Sequence, residues 1–199
     1  MCARDSKVPV PKMRVIAGKY RSRRLRSLSG LDVRPTADRL RETLFNILTA
    51  GNGQAIQGSV WFDLYAGTGA VGIEALSRGA TSVYLVESSA SAAQLIRKNL
   101  ETLRATSGFE ILSQDVGRAL RALKLRGISA DFIFLDPPYR MAEAYRQTLE
   151  TLSKSDFLKE TGLVIAEHEK RFEPGEKFND LTRYRKLEQG DAALSFYRR

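Results

Sequence analysis

The sequence predicts an α/β protein: a doubly wound, Rossmann-like sheet, mostly parallel, with a C-terminal antiparallel hairpin and a small basic N-terminal hairpin-and-helix appendage. Three observations carry this prediction. From residue 59 onward, short apolar runs alternate with segments of helical periodicity, the pattern of a parallel sheet covered on both faces. A glycine-rich turn stands where the first of those runs gives way to the first helix. Near the end the alternation stops, and two strand-like runs flank Gln189-Gly190-Asp191, a turn sequence.

Residues 13–28 mix apolar and basic side chains and predict a short strand pair turning near Gly18 or Gly30. Residues 36–49 predict a helix: Pro35 precedes it, Thr36 can cap it, and Leu40, Leu44, Phe45, Ile47 and Leu48 form a stripe at helical spacing. Gly51-Asn52-Gly53 ends it. Buried strands are expected at 60–65, 83–87, 109–112, 132–136 and 163–166, and helices at 70–78, 90–104, 116–125 and 141–153. Residues 183–188 and 192–198 complete the hairpin on the sheet edge. The expected division is a basic arm and hairpin over 1–35 and one sheet domain over 36–199.

A chain of 199 residues with 43% hydrophobic and 28% charged residues can bury a sizeable core and is not of disordered composition. Its net charge of +9 is concentrated: the first 50 residues hold twelve basic and four acidic side chains. Such asymmetry points to a polyanionic partner, because Lys and Arg gain free energy by displacing counterions from phosphates. Arg14, Lys19, Arg21, Arg23, Arg24, Arg26, Arg34 and Arg39 are the candidate nucleic-acid contacts, against the plainer reading of a solvated basic arm.

The single cysteine, Cys2, suits a reducing cytosol. No apolar run reaches the ~18 residues a membrane span needs, and no signal peptide is recognisable. An organellar transit segment is the alternative for the Arg-rich start, with Asp5 against it. A cytoplasmic monomer without an obligate protein partner is expected.

The most informative stretch is Asp63-Leu64-Tyr65-Ala66-Gly67-Thr68-Gly69-Ala70-Val71-Gly72. Glycines there let the backbone approach a ligand, and the helix start offers free N–H groups to an anionic group. With Glu87 at the end of the second strand, where an acid can accept from ribose hydroxyls, the spacing also fits a dinucleotide fold. Asp63 separates the two: an acid at that strand end would repel a pyrophosphate, but can accept from the ammonium of S-adenosylmethionine. A turn-capping role for Asp63 is the structural alternative.

At the end of the fourth strand stands Asp136-Pro137-Pro138-Tyr139. Two prolines fix a rigid turn, leaving the Asp136 carboxylate and the Pro137 carbonyl as acceptors. Two acceptors and an aromatic face suit a planar base bearing an NH2 group. The amine donates both hydrogens while the Tyr139 ring stacks on the base. Hydrogen bonds that draw the nitrogen toward tetrahedral geometry free its lone pair for attack on a sulfonium methyl. A plain strand-to-loop turn is the bland alternative.

Together with Arg14-Val15-Ile16-Ala17-Gly18-Lys19-Tyr20-Arg21 and the run from Arg34-Pro35-Thr36 to Phe45-Asn46, these motifs resemble class I methyltransferases. Within them they resemble the bacterial small-subunit ribosomal RNA guanine-N2 methyltransferases, over nearly the whole chain. The resemblance implies S-adenosyl-L-methionine as cofactor and 16S rRNA or a small-subunit particle as partner. It implies that Asp63, Tyr65, Ala66, Gly67, Gly69, Ser88 and Val116 contact the cofactor, that Glu87 meets its ribose, and that Asp115 meets its adenine amine. Asp136, Pro137, Pro138 and Tyr139 would form the catalytic pocket. A lone Asp115 is a helix cap about as often.

Arg34, Thr36, Arg39 and Glu42 are expected on one side of the basic helix near the pocket mouth. His168, between Glu167 and Glu169, reads as structural rather than as a metal ligand, and no metal site is expected. Three alternatives stay open: an N6-adenine methyltransferase, a non-catalytic RNA-binding assembly factor on the same fold, and a nicotinamide-dependent oxidoreductase.

Overall fold

The computed structural model describes residues 13–27, 35–138 and 141–199, without the side chains of 35–37. Along the chain run α1 (Pro35–Leu48), β1 (Val60–Leu64), α2 (Ala70–Ser77), β2 (Ser82–Val86), α3 (Ala90–Leu103), β3 (Phe109–Leu112) and α4 (Val116–Leu125). There follow β4 (Ala130–Leu135), α5 (Ala142–Ser153), β5 (Leu158–Glu169), β6 (Lys177–Phe178), β7 (Leu181–Gln189) and β8 (Ala192–Arg198).

One sheet holds all eight strands in the order β3-β2-β1-β4-β5-β8-β7-β6. β1 to β5 pair in parallel, whereas β8 runs antiparallel to β5 and to β7. The sheet is therefore doubly wound with a C-terminal antiparallel hairpin, as the sequence predicts. Its strand order reverses between β1 and β4, where α/β sheets open a crevice for ligands at their carboxyl ends.

The central strands are apolar on both faces because helices cover both. Trp61, Phe132, Phe134 and Ile165 turn to the face covered by α1, α2 and α3, where Trp61 stacks on Phe45 at 5.4 Å between ring centroids. Phe62, Leu64, Ile133 and Leu135 turn the other way, against Val116, Leu120 and Leu123 of α4 and Tyr145, Leu149 and Leu152 of α5.

Residues 13–27 form a hairpin-like turn with one antiparallel bridge, Arg14 to Arg24, in place of a full strand pair. The turn falls at Gly18, in the left-handed region at φ 80°; Gly30 lies outside the described residues. This segment is clamped onto the sheet domain. Met13, Val15, Tyr20 and Leu25 are buried in its core. Four buried polar side chains hold its backbone: Arg41 donates to the Arg14 carbonyl (2.6 Å), and Glu74 accepts from the amides of Ile16 (2.7 Å) and Ala17 (2.9 Å). Ser77 accepts from Tyr20 N–H (2.9 Å), and Asn99 accepts from Arg26 N–H (2.8 Å). A Cβ on Gly18 would lie 1.9 Å from the Ser77 carbonyl oxygen, so only glycine permits this approach.

Candidate active site

A cavity of about 700 Å³ opens at the carboxyl ends of β1, β2 and β4. The structure brings nine of the sequence-predicted residues to its wall: Tyr65, Gly67, Glu87, Ser88, Asp115, Val116, Asp136, Pro137 and Pro138. Each stands there because its strand has just ended or a helix is about to begin.

Gly67 takes φ 55°, and a side chain there would project into open space with only the Tyr65 carbonyl as near as 4.0 Å. A ligand can thus lie directly against this backbone. Glu87 shapes the loop from the side: its carboxylate accepts from Gly67 N–H (2.8 Å) and Ser89 N–H (2.7 Å). Tyr65 is a non-glycine residue in the left-handed region at φ 64°, with its hydroxyl 2.9 Å from Thr148 Oγ1. Such backbone strain gathers at ligand sites. Asp115 both lines the cavity and caps α4, accepting from Arg118 N–H at 2.9 Å.

Asp63, Ala66 and Gly69 stand one layer behind the wall. Asp63 is buried, and its Oδ2 accepts from Gly72 N–H at 2.7 Å, which ties the end of β1 to the first turn of α2. Gly69 starts α2 at φ 77°, in the left-handed region that favours glycine, and packs tightly against Ile96 and Leu85.

Asp136 follows β4, and its carboxylate accepts no hydrogen bond among the described residues. The Pro137 carbonyl accepts from the Tyr145 hydroxyl at 3.3 Å. Tyr139 lies outside the described residues. Burial pushes the carboxyls of both Asp63 and Asp136 up to about 7, and Glu167 is also raised well above the carboxylate range. Three acids held together in this way favour a cationic ligand, which would offset their desolvation and mutual repulsion.

Sequence reasoning missed Gln114, Gly117, Met141, Ala144, Gln147, Thr148 and Thr151, which also line the cavity. Most come from α5, whose face over the cavity carries no motif. Helical spacing of Met141, Ala144, Thr148 and Thr151 was the one available signal.

Arg14, Lys19, Arg21, Arg23, Arg24, Arg26 and Arg39 are all exposed and form no ion pair among the described residues. Arg14, Arg21, Arg39 and Glu42 line a second cleft of about 370 Å³, between the N-terminal turn and α1. Arg34 and the Thr36 side chain lie outside the described residues. His168 is buried, with Nε2 2.9 Å from Ser195 Oγ and Nδ1 2.8 Å from the Glu169 carbonyl, and burial lowers its pKa. Among the described residues no cluster of His, Cys, Asp and Glu is placed to hold a metal ion, and no helix is long and apolar enough to cross a membrane.

The sheet order, the glycine turn after β1 and the cavity at the switch point define a class I methyltransferase fold. The chain belongs to the family described as conserved hypothetical protein 95, whose model matches residues 13–198. It is 35% identical over 187 residues to YlbH of Bacillus subtilis (strain 168), covering 94% of this chain and 99% of that one. It is also 35% identical over 158 residues to the ribosomal RNA small subunit methyltransferase D of Escherichia coli (strain K12), covering 79% and 75%. Among solved structures, the hypothetical protein TTHA0928 of Thermus thermophilus superposes with a TM-score of 0.77 at 26% identity, covering 94% of this chain and 99% of that one.

Proposed function

We propose that the protein transfers a methyl group from S-adenosyl-L-methionine to the exocyclic N2 of a guanine in 16S rRNA, within a small-subunit assembly particle. The observation that carries this reading is the Asp136 carboxylate. It is free of hydrogen-bond partners among the described residues, is followed by two prolines, and lines the same cavity as Gly67, Glu87 and Asp115. Relatives named for small-subunit ribosomal RNA methylation support the substrate class.

The residues present fit the cofactor. The bare Gly67 backbone would hold its central part, with Tyr65 and Ala66 before it and Gly69 behind. Glu87 and Ser88 would hold its ribose, and Asp115 and Val116 would edge its adenine. Asp63 acts through the loop by fixing Gly72, and its charge favours a cation above it. Bound there, S-adenosyl-L-methionine supplies an electrophilic methyl carbon on a sulfonium.

The chain's own residues supply position and electrostatics. The Asp136 carboxylate and Pro137 carbonyl accept the two amine hydrogens of the target base, directing the nitrogen lone pair at the methyl carbon. The C–N bond forms as the C–S bond breaks. The Asp136 carboxylate, raised by burial to about 7, takes the proton the nitrogen sheds. Tyr139 stacks on the base, which is held or flipped into the pocket. Arg14, Lys19, Arg21, Arg23, Arg24, Arg26, Arg34 and Arg39 hold RNA phosphates, and the enzyme works as a cytoplasmic monomer.

The test is methyl transfer from isotopically labelled S-adenosylmethionine to total RNA, small-subunit particles and DNA, followed by nucleoside mass spectrometry. N2-methylguanosine in the RNA or particle lanes is the expected product. N6-methyladenine, or no transfer to any of the three, overturns the reading.

A further inference from the structure

Beside the proposed amine clamp stands a second acid to which no motif assigns a role. β4 and β5 run in parallel with Leu135 paired to Ala166, so the next residues of each strand, Asp136 and Glu167, lie side by side. They also share a face. Phe134 and Ile165 both pack on the α1 side, and strand alternation returns Asp136 and Glu167 to that side.

One hydroxyl ties the two together: Tyr145 donates to the Pro137 carbonyl (3.3 Å) and to the Glu167 carbonyl (2.8 Å), setting the end of β5 against the Asp136-Pro137 turn. The Glu167 side chain is half-buried, and its carboxylate accepts no hydrogen bond among the described residues. Nor does the buried Arg41, whose charge favours ionised Glu167, form an ion pair with it; Arg41 pairs with Asp38 and reaches the Arg14 carbonyl. Two adjacent acids that repel each other and have no donor among the described residues suit a ligand rich in N–H groups.

The chemistry of the bases then selects among them. In guanine the exocyclic amine is flanked by a ring N1–H, a donor. In adenine and cytosine the ring nitrogen beside the amine is a bare acceptor. A carboxylate next to the amine clamp accepts from guanine and opposes the lone pair of the other two.

We infer that Glu167 is a specificity-determining residue, whose carboxylate accepts the N1–H of the target guanine while Asp136 and the Pro137 carbonyl hold its N2 amine. The inference rests on the guanine-N2 reading above and deepens it. Glu167 chooses the base, and Asp136 presents the nitrogen.

The experiment compares two substrates, carrying either guanine or 2-aminopurine at the modified position of the RNA. 2-Aminopurine keeps the C2 amine but has a bare ring nitrogen where guanine has N1–H. Wild-type enzyme should prefer guanine by about 10- to 100-fold in kcat/KM, the worth of a hydrogen bond to a charged group. Glu167→Ala should bring the two substrates within about threefold of each other at saturating cofactor. Glu167→Gln, which keeps an acceptor oxygen, should fall between and serves if the Ala variant does not fold. A full guanine preference in both variants overturns the assignment of Glu167 alone. No N2-methylguanosine from wild-type enzyme on any RNA overturns the functional reading, and this inference with it.

Discussion

The Asp63 carboxylate accepts a 2.7 Å hydrogen bond from the Gly72 amide, and it lies so close that a side chain at position 72 would crowd it. A Cβ on Gly72 would sit 2.9 Å from Asp63 Oδ2 and 2.8 Å from Leu85 Cδ2. Gly72→Ala should therefore push Asp63 off the first turn of α2 and misplace the loop at Gly67. We expect a stability loss of about 1–3 kcal/mol, as for other overpacked cores. Cofactor affinity should fall about tenfold, read by calorimetry and thermal melts.

On the proposed mechanism the acids at the strand ends should make activity and stability run in opposite directions with pH. Burial raises the carboxyls of Asp63 and Asp136 from 3.8 to about 7 in the folded protein. Between about pH 4 and pH 7 the folded state therefore binds more protons than the unfolded one. Stability from these groups is full below pH 4 and is lost as the pH rises through about 7. On the proposed mechanism methyl transfer needs ionised Asp136, so its single-turnover rate should instead climb over the same range. Ligand-free melts from pH 5 to 8, set beside single-turnover rates at the same pH values, test the crossing.

Asp136→Asn keeps the size of the side chain but replaces a charged acceptor by an amide. We expect a loss of at least about 100-fold in kcat, in the range of other pre-organised polar groups. The rise of rate with pH through about 7 should vanish with it. Cofactor binding within a few-fold of wild type, measured by titration calorimetry, would separate lost chemistry from lost folding.

Truncating the N-terminal segment is not a clean test of RNA binding, because Met13, Val15, Tyr20 and Leu25 belong to the core. Arg21, Arg23 and Arg24 are exposed and can be changed to Gln without exposing that core. If each neutralises a phosphate, the triple substitution should flatten the slope of log affinity against log salt by about 2–3. An unchanged slope would show the basic surface to be merely solvated.

Gly18→Ala should release the segment from α2, since the added Cβ would meet the Ser77 carbonyl at 1.9 Å. A loss of about 2–4 kcal/mol is expected, with new tryptic cleavage within residues 13–27. Thermal melts and limited proteolysis followed by mass spectrometry read both.

What the sequence reveals tracks what is local. The β3 run at Phe109–Leu112 and the helix starts near Ala70, Ala90 and Val116 are legible because apolar periodicity and cap residues such as Ser89 and Asp115 act within a few positions. β5 is legible only at its apolar centre, 163–166. Its outer residues, such as Lys159 and Glu160, are exposed and polar, and the strand is irregular there, with a register shift between Ala130 and Phe132 of its partner. The two-residue β6 has no pattern to read.

Long-range polar contacts are the larger omission. The attachment of residues 13–27 depends on Glu74, Ser77 and Asn99, which in sequence look like ordinary surface polar residues of two helices. At the site, the strand-end acids and the glycine turn announce themselves by motif. The α5 wall does not, because Thr148 and Thr151 acquire their position only when α5 folds over the cavity.

That attachment fixes an order of events during synthesis. The amides of Ala17 and Tyr20 reach their partners across 57 residues, and Arg26 reaches Asn99 across 73. Closing loops of that length is entropically unfavourable until the partner helices exist to reward it. At about 5–20 residues per second, the cation-rich segment waits roughly 4–15 s after leaving the ribosome before α3 is available to receive it. Residues 13–27 are thus made well before the helices that anchor them, and in that interval their arginines can meet whatever polyanion lies nearest.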